Sequence, residues 1–532
     1  MFIDAREVPD GETIEADLCV IGAGAAGITI AREMAGTQHR VVVLESGGLD
    51  YDERTQSLYE GTNIGMASFD LDINRLRYFG GTTNHWAGHC RPLDPIDFER
   101  RSWVPYSGWP ISRQDLVPYY LRALPILELP PFHFDDLDFL VAQTGEEALA
   151  LDPARLQSAV YYQSPPTRFG EVYREEIGAA TSVRVYLHAN ALELESDQTG
   201  SEVTGVQVAC IDGPRFQVTA RQYVLAMGGM EIPRLMLLSN RHVPAGLGNQ
   251  HDLVGRFFMD HIVVRPAVLV LLASNDISLP LYHDLHTIEG GEMFAILSAP
   301  ERLMREEELL DFRIHVDRVK APGPGQQSLI ALVRALRGGS VPDDLGRHLG
   351  NILADLDVVT DLVYRRVFGA GSEPTEPDDT PFSIRLDLVV EAAPDPDSRI
   401  TLSGERDLFG QNRIAVDWRL SDLDLRTARR AIELAALEFG RLGFGRGRGD
   451  LLEDGTGWPA DTMEAGKHHC GTARMAADPK TGVVDANCRV HGMSNLYVAG
   501  SAVFPTIGYA NPTLTIVALA LRLADHLKDQ MA

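Results

Sequence analysis

The 532-residue chain is 45% hydrophobic and 23% charged, with 48 Lys and Arg against 75 Asp and Glu for a net charge of −27. That is an ordinary composition for a globular protein of two to four structural units at about 150 residues each, and the negative charge excludes nucleic acid and anionic membrane surfaces as partners. Five scattered cysteines without C-x-x-C spacing give neither a metal cluster nor a disulfide framework; the acidic N-terminus has no apolar signal core and Arg265 or Arg522 interrupts the longest apolar stretches, so the sequence predicts a cytoplasmic protein with no membrane span.

In chain order, the first strong signal is Asp17 to Gly48. Leu18 to Ile21 is an apolar run too short for a helix, and Gly22, Gly24 and Gly27 follow as G-x-G-x-x-G, opening the periodic apolar segment Ile28 to Met34. Arg40 to Leu44 reads as a second buried strand ending at Glu45, eighteen residues past Gly27. Strand, glycine turn, helix, strand and acid form the dinucleotide-binding fingerprint. Gly22 makes the turn, Gly24 leaves room for a pyrophosphate, Gly27 lets helix and strand pack closely, and the helix N-terminus at Ala25 and Ala26 offers free N–H groups to phosphate. A carboxylate at position 45 accepts hydrogen bonds from a ribose diol, which favours FAD or NAD over NADP.

The stretch from Gly48 to Leu76 lacks periodicity and is expected to be a long surface connection. It leads to Gly80-Gly81-Thr82-Thr83-Asn84-His85-Trp86, two glycines and small polar residues that suit neither helix nor strand, so a loop touching the cofactor is expected. Ser112 is placed to cap a short helix from Arg113. Val183 to Leu187, Ala191 to Glu195, Val203 to Cys210 and Phe216 to Thr219 predict a β-meander, and Tyr223 to Ala226 predicts a buried strand turning at Gly228 into a helix over Arg234 to Leu238. Further strands are expected at Ile262 to Leu271, Arg313 to Val319, Ser383 to Glu391, Arg399 to Leu402 and Arg413 to Asp417. Helical periodicity covers Gln327 to Arg337, Leu345 to Val367 and Leu423 to Arg441, and the acidic stretch Gly371 to Pro381 reads as a linker. Near the C-terminus, KHHCGTARM precedes a strand at Leu496 to Ala499, a turn at Gly500-Ser501, and Asn511-Pro512-Thr513 before a final helix from Leu514 to Leu527. This repeats the strand–turn–helix logic of the first motif and should return the chain to the cofactor.

The residues permit a chemical reading beside bland ones. Alcohol oxidation needs a base for the hydroxyl proton and an acceptor for the hydride, and a neutral imidazole serves as base; composition does not choose between His468 and His469. A satisfied surface histidine and a helix cap at Asn511 are the alternatives. His89 and His261 read as structural, Trp103, Tyr106 and Trp109 as packing, and Arg474 as an ion-pair partner. Adjacent histidines without a spaced third ligand do not make a metal site.

GAGAAG with Glu45, GGTTNHWAGHCRPLD, YVLAMGGMEIPRLML, LVGRFFMDH and the closing HHCGTARM and GYANPT segments together resemble the glucose-methanol-choline (GMC) oxidoreductases, on the pyranose oxidase and sugar dehydrogenase side of that family. The resemblance implies an α/β fold: a Rossmann-like FAD-binding domain from 14–100, 181–261 and 455–532, and a substrate domain on an antiparallel sheet with a helical excursion from 101–180 and 262–454. It implies FAD against Gly80, Gly81, Thr82, Asn84, His85, Trp86, Ala226, Gly228, Gly500, Ser501, Pro512 and Thr513, with the adenine near Ala191. It selects His468 as the base and Asn511 as its partner on the substrate oxygen, and it makes His85 a point for covalent attachment of the flavin, the other reading being a histidine that packs beside the ring. The implied reaction is oxidation of a CH–OH group of a sugar, glycoside or polyol by hydride transfer to flavin N5. The electron acceptor is oxygen, a quinone or an unknown protein. A bulky apolar alcohol such as a sterol, a hydroxynitrile-lyase activity and a decarboxylase of long-chain acids are the competing functions.

Overall fold

The computed structural model describes residues 1–66, 70–272, 277–320, 345–354, 382–448 and 463–532, together with Ser328 and Leu332. Its first sheet forms where short β-branched runs concentrate. The strand order is Phe2–Asp4, Val183–Leu187, Val41–Leu44, Thr13–Ile21, Arg215–Leu225, Val203–Ala209 and Asn190–Ser196, and Leu496–Val498 also pairs with Arg215–Leu225. The central strands are parallel, and Leu18, Val20, Val43, Val224 and Val498 are buried, as in a sheet covered on both faces. The helices Ala25–Met34 and Arg113–Ile126 pack against Thr513–Met531. Ser112 caps Arg113–Ile126 in a capping box with Asp115.

Four expectations change here. The meander is three strands, because Val183–Leu187 pairs in parallel with Val41–Leu44 instead of joining it. The segments read as Phe216 to Thr219 and Tyr223 to Ala226 are one strand, Arg215–Leu225: its first half completes the meander while its whole length from Gln217 lies along Thr13–Ile21, so the polar interruption at Arg221 and Gln222 does not break it. The helix after it begins at Gly228 rather than Arg234, although Pro233 lies inside. Pro233 has no N–H for the Gly229 carbonyl, and the Thr472 hydroxyl donates to that carbonyl at 2.6 Å instead. The connection after Gly48 also holds short elements, Glu53–Gln56, Ser57–Tyr59 and Gly61–Asn63.

The second sheet is antiparallel: Gly445–Arg448, Ile262–Leu272, Phe382–Val390, Phe312–Lys320, Gly291–Ser298, Gln157–Gln163 and His89–Cys90, with His286–Ile288 and Met463–Ala465 paired off this path. A small third sheet joins Arg399–Arg406, Asn412–Asp417 and Gly61–Asn63. The strands Gln157–Gln163 and Gly291–Ser298 have no counterpart in the sequence reading. The expected helix from Leu345 is present as Leu345–Ala354; its continuation to Val367, most of Gln327 to Arg337 and the linker 371–381 lie outside the described residues. Because His89–Cys90 and Met463–Ala465 belong to the second sheet, the glycine-rich loop before His89 and the His468 loop both carry chain from one sheet to the other. Those two crossings frame a cavity.

Candidate active site

The cavity, of about 720 Å³, runs from the first βα turn to the face of the second sheet. At its nucleotide end the turn needs its glycines. Gly22 has φ +101°, and a Cβ there would stand 2.7 Å from the Ala226 carbonyl; one on Gly27 would stand 1.9 Å from the Gly22 carbonyl, whereas one on Gly24 meets nothing within 4 Å and faces open space. Glu45 is buried and accepts the N–H groups of Ala23 and Gly47, both at 2.9 Å; burial raises its pKa despite those bonds. Glu231 lies between three arginines, with Arg75 at 2.9 Å, Arg77 at 3.2 Å and Arg234 at 3.3 Å. Burial opposes its charge, but the arginines hold its pKa at about 2. An open glycine, a helix N-terminus and an anchored carboxylate on a long cavity fit FAD.

At the other end the side chains form one connected chain of hydrogen bonds. His468 and His261 meet Nδ1 to Nδ1 at 2.8 Å, and His261 Nε2 lies 2.8 Å from the Gly508 carbonyl. His468 Nε2 lies 3.1 Å from Asn511 Nδ2. Arg313 Nη1 donates to Asn511 Oδ1 at 2.5 Å and to the Tyr161 hydroxyl. The buried Asp260 carboxylate accepts the His468 N–H at 2.7 Å and so fixes the loop. Beneath Gly508, Glu391 accepts its N–H at 3.3 Å and is held by Arg101 in a fully buried bidentate pair at 2.7 and 2.8 Å.

Donor and acceptor chemistry gives this chain a direction. A carbonyl only accepts, so His261 Nε2 carries the proton; the neutral His261 Nδ1 then accepts, and His468 Nδ1 carries the proton between them. His468 Nε2 is left unprotonated at the cavity, its lone pair placed to accept from the Asn511 NH₂. The opposite end agrees independently: a guanidinium only donates, so the Asn511 oxygen faces Arg313 and its NH₂ points at His468 Nε2. Burial first and Arg313 second lower the His261 pKa to about 4, and burial, then His261 and Arg313, hold His468 well below the ordinary histidine value. Both rings are therefore neutral at pH 7.

The structure gathers most of the sequence-selected residues on this cavity: Gly22, Gly24, Ala25, Ala26, Glu45, Gly81, Thr82, His85, Trp86, Ala191, Ala226, Gly228, His468, Gly500, Ser501, Asn511, Pro512 and Thr513 all line it. Gly27, Gly80 and Asn84 do not. Gly27 packs helix on strand, and Asn84 spans its own loop, donating to the Phe79 carbonyl at 2.9 Å and accepting from Gly170 N at 3.3 Å. His469 also borders the cavity, but its ring stacks on Phe258 and its carbonyl accepts from Ser501, so only His468 reaches Asn511. His261 touches His468 rather than standing apart from it. Arg474 is not an ion-pair partner: among the described residues it stacks on Phe257 at 4.5 Å and donates to the Tyr106 carbonyl, with no carboxylate in reach. Arg313, Tyr161 and the Glu231 arginine cluster escaped the sequence reading, since no local pattern marks one arginine on a strand as facing a site built by residues 468 and 511.

A buried FAD site adjoining a neutral histidine pair fits an FAD-dependent alcohol oxidoreductase. Residues 394–520 match the GMC oxidoreductase family and residues 17–251 match the FAD dependent oxidoreductases. The chain is 26% identical to the 6'''-hydroxyparomomycin C oxidase of Streptomyces lividus over 97% of its own length and 92% of that protein, and 22% identical to the fructose dehydrogenase large subunit of Gluconobacter japonicus over 98% and 99%. Formate oxidase shares the fold, with a TM-score of 0.57 at 17% identity over 98% and 99% of the two chains. The chain thus carries a segment similar to the GMC oxidoreductase C-terminal domain and one similar to the FAD-dependent oxidoreductase domain. Among the described residues, no helix is long and apolar enough to cross a membrane.

Proposed function

We propose that this site oxidises a CH–OH group of a sugar, glycoside or other polyol to a carbonyl, with His468 Nε2 as the base. The observation that carries this reading is the directed hydrogen-bond chain that leaves that nitrogen unprotonated beside the Asn511 NH₂. A substrate hydroxyl placed there gives its proton to His468 Nε2 while Asn511 donates to the same oxygen and stabilises the negative charge that develops on it. Once protonated, His468 still donates from Nδ1 to His261, so that bond survives proton uptake at Nε2. FAD, when bound, supplies the hydride acceptor. The named activities of the aminoglycoside oxidase and fructose dehydrogenase relatives support a polyhydroxylated substrate. In this reading residues 14–100, 181–261 and 455–532 serve the cofactor, and 101–180 and 262–454 serve the substrate.

Anaerobic addition of sugars, glycosides and polyols to the loaded enzyme tests the reading: at least one should bleach the flavin. A flavin that stays oxidised with every member of the panel while a hydroxynitrile is cleaved would replace oxidation with lyase chemistry. His85, exposed on the cavity wall, is the residue to test for covalent attachment. Acid precipitation of loaded wild-type enzyme gives a yellow pellet if the bond exists, lost in His85→Ala, and a yellow supernatant if the ring is held without one.

A further inference from the structure

Four consecutive strands of the antiparallel sheet, Phe312–Lys320, Gly291–Ser298, Gln157–Gln163 and His89–Cys90, each bring one ring to a common patch. Phe294 and Tyr161 are direct cross-strand neighbours with centroids 5.6 Å apart. His89 lies 5.2 Å from Phe294, and His315 lies 5.9 Å from both Phe294 and His89, the two imidazoles inclined by 28°. The patch adjoins the base: His89 lines the same cavity as His468, Tyr161 shares Arg313 with Asn511, and His315 stands two residues from Arg313, roughly 7 Å along the strand on the same face.

The two imidazoles differ from the others around the base in having no work within the protein. His261 and His468 spend their ring nitrogens on each other, on Gly508 and on Asn511, whereas the ring nitrogens of His89 and His315 have no hydrogen-bond partner among the described residues. Both side chains are only partly buried. Burial and then Arg313 lower the His89 pKa to about 4 and hold His315 well below the ordinary value, so both are neutral. A neutral imidazole offers one donor and one acceptor, which is also what a hydroxyl offers. Phe294 and Tyr161, both buried, pack against them and fix the orientation of the two rings.

We propose that His89 and His315 form a hydroxyl-recognition subsite that selects a carbohydrate-like substrate, pairing with its non-reacting hydroxyls, while Phe294 and Tyr161 pack behind them and hold the two rings in place. The proposal rests on the assigned oxidation at His468 and names what that site discriminates. A simple alcohol leaves both imidazoles unpaired once water is displaced, so it is rejected by the loss of bonds the site was built to make.

The test compares kcat/KM for anaerobic flavin reduction by the best polyol of the panel with that for a monohydroxy alcohol, in wild type and in His89→Phe/His315→Phe, which keeps ring volume and stacking but removes the ring nitrogens. The polyol-to-alcohol ratio should fall by about ten- to a hundredfold, chiefly through KM for the polyol. An unchanged ratio overturns the subsite. Because the double variant removes polar groups from a packed sheet, a second measurement uses wild type alone with a deoxy series of the same polyol: at least one non-reacting hydroxyl should be worth about tenfold or more in kcat/KM, and a series flat at every position overturns the proposal. Both failures leave oxidation intact; a wild-type flavin that no alcohol or polyol bleaches instead removes the assigned reaction.

Discussion

The two ends of the cavity use different parts of the chain. At the nucleotide end, backbone does most of the facing: a turn at Gly22, an open Gly24, a helix N-terminus, and carboxylates already satisfied by N–H groups at Glu45 or by arginines at Glu231. At the sheet end the facing groups are side chains from distant segments, His261, Arg313, His468 and Asn511, linked in one ordered hydrogen-bond chain. A backbone site fails when any side chain intrudes. A side-chain site fails when a donor or acceptor is lost, even if its shape survives. The two ends should accordingly fail separately, one in cofactor content and the other in chemistry.

The sharpest break of that separation is Gly27→Val. A Cβ there would stand 1.9 Å from the Gly22 carbonyl, so the turn cannot keep its form, and the purified variant should lose more than about nine-tenths of its FAD by flavin-to-protein absorbance. Normal flavin content would show that the turn does not set the site. Asn511→Ala comes next and falls on the opposite end: flavin content should hold while the rate of anaerobic flavin reduction drops about a hundredfold, the typical loss of roughly 3 kcal/mol for one donor to a developing oxyanion. A loss of both together would merge the two ends.

His261→Leu removes the acceptor that keeps the His468 proton on Nδ1, and should slow flavin reduction by about tenfold with FAD retained. Its pH profile separates positioning from packing. The base works when neutral, above its folded pKa, and that pKa lies below the ordinary value of about 6.5. Wild-type kcat/KM should therefore stay flat as pH falls through 6.5 and drop only at lower pH. After burial, His261 is the strongest influence holding His468 down, so in His261→Leu the acid limb should move up toward 6.5. His261→Asn, which can accept again, should recover part of the rate; an unmoved limb would leave His261 as packing alone. Glu45→Ala should have the smallest effect, weakening FAD retention a few-fold in dilution or dialysis without altering the reduction rate of enzyme that remains loaded. A changed rate in that loaded fraction would contradict a role confined to the nucleotide end.

The same division explains what could be read from the residues. Gly22, Gly24, Gly27 and Glu45 lie within one short strand–helix–strand unit whose spacing carries its own geometry, so sequence and structure agree there. His468 and Asn511 were found through family motifs, whereas composition did not separate His468 from His469; the ring contacts do, since only one of them meets Asn511. Arg313 and Tyr161 sit on strands whose partners lie far off in sequence, and nothing local in Phe312–Lys320 announces that Arg313 faces residue 511. Gln157–Gln163 and Gly291–Ser298 were missed for a related reason, since their pairing with each other and with distant strands, not a local alternation, makes them a sheet. Gly80 and Asn84 show the converse. A motif residue can shape its loop without lining the cavity that the loop borders.

The central claim is that His468 takes the substrate proton, and its most direct test is the rate of anaerobic flavin reduction by the best polyol in His468→Ala at matched FAD content. The account predicts a yellow, folded enzyme whose flavin is reduced about a hundred to ten thousand times more slowly than in wild type. A variant that retains FAD and is reduced within a few-fold of the wild-type rate would contradict it.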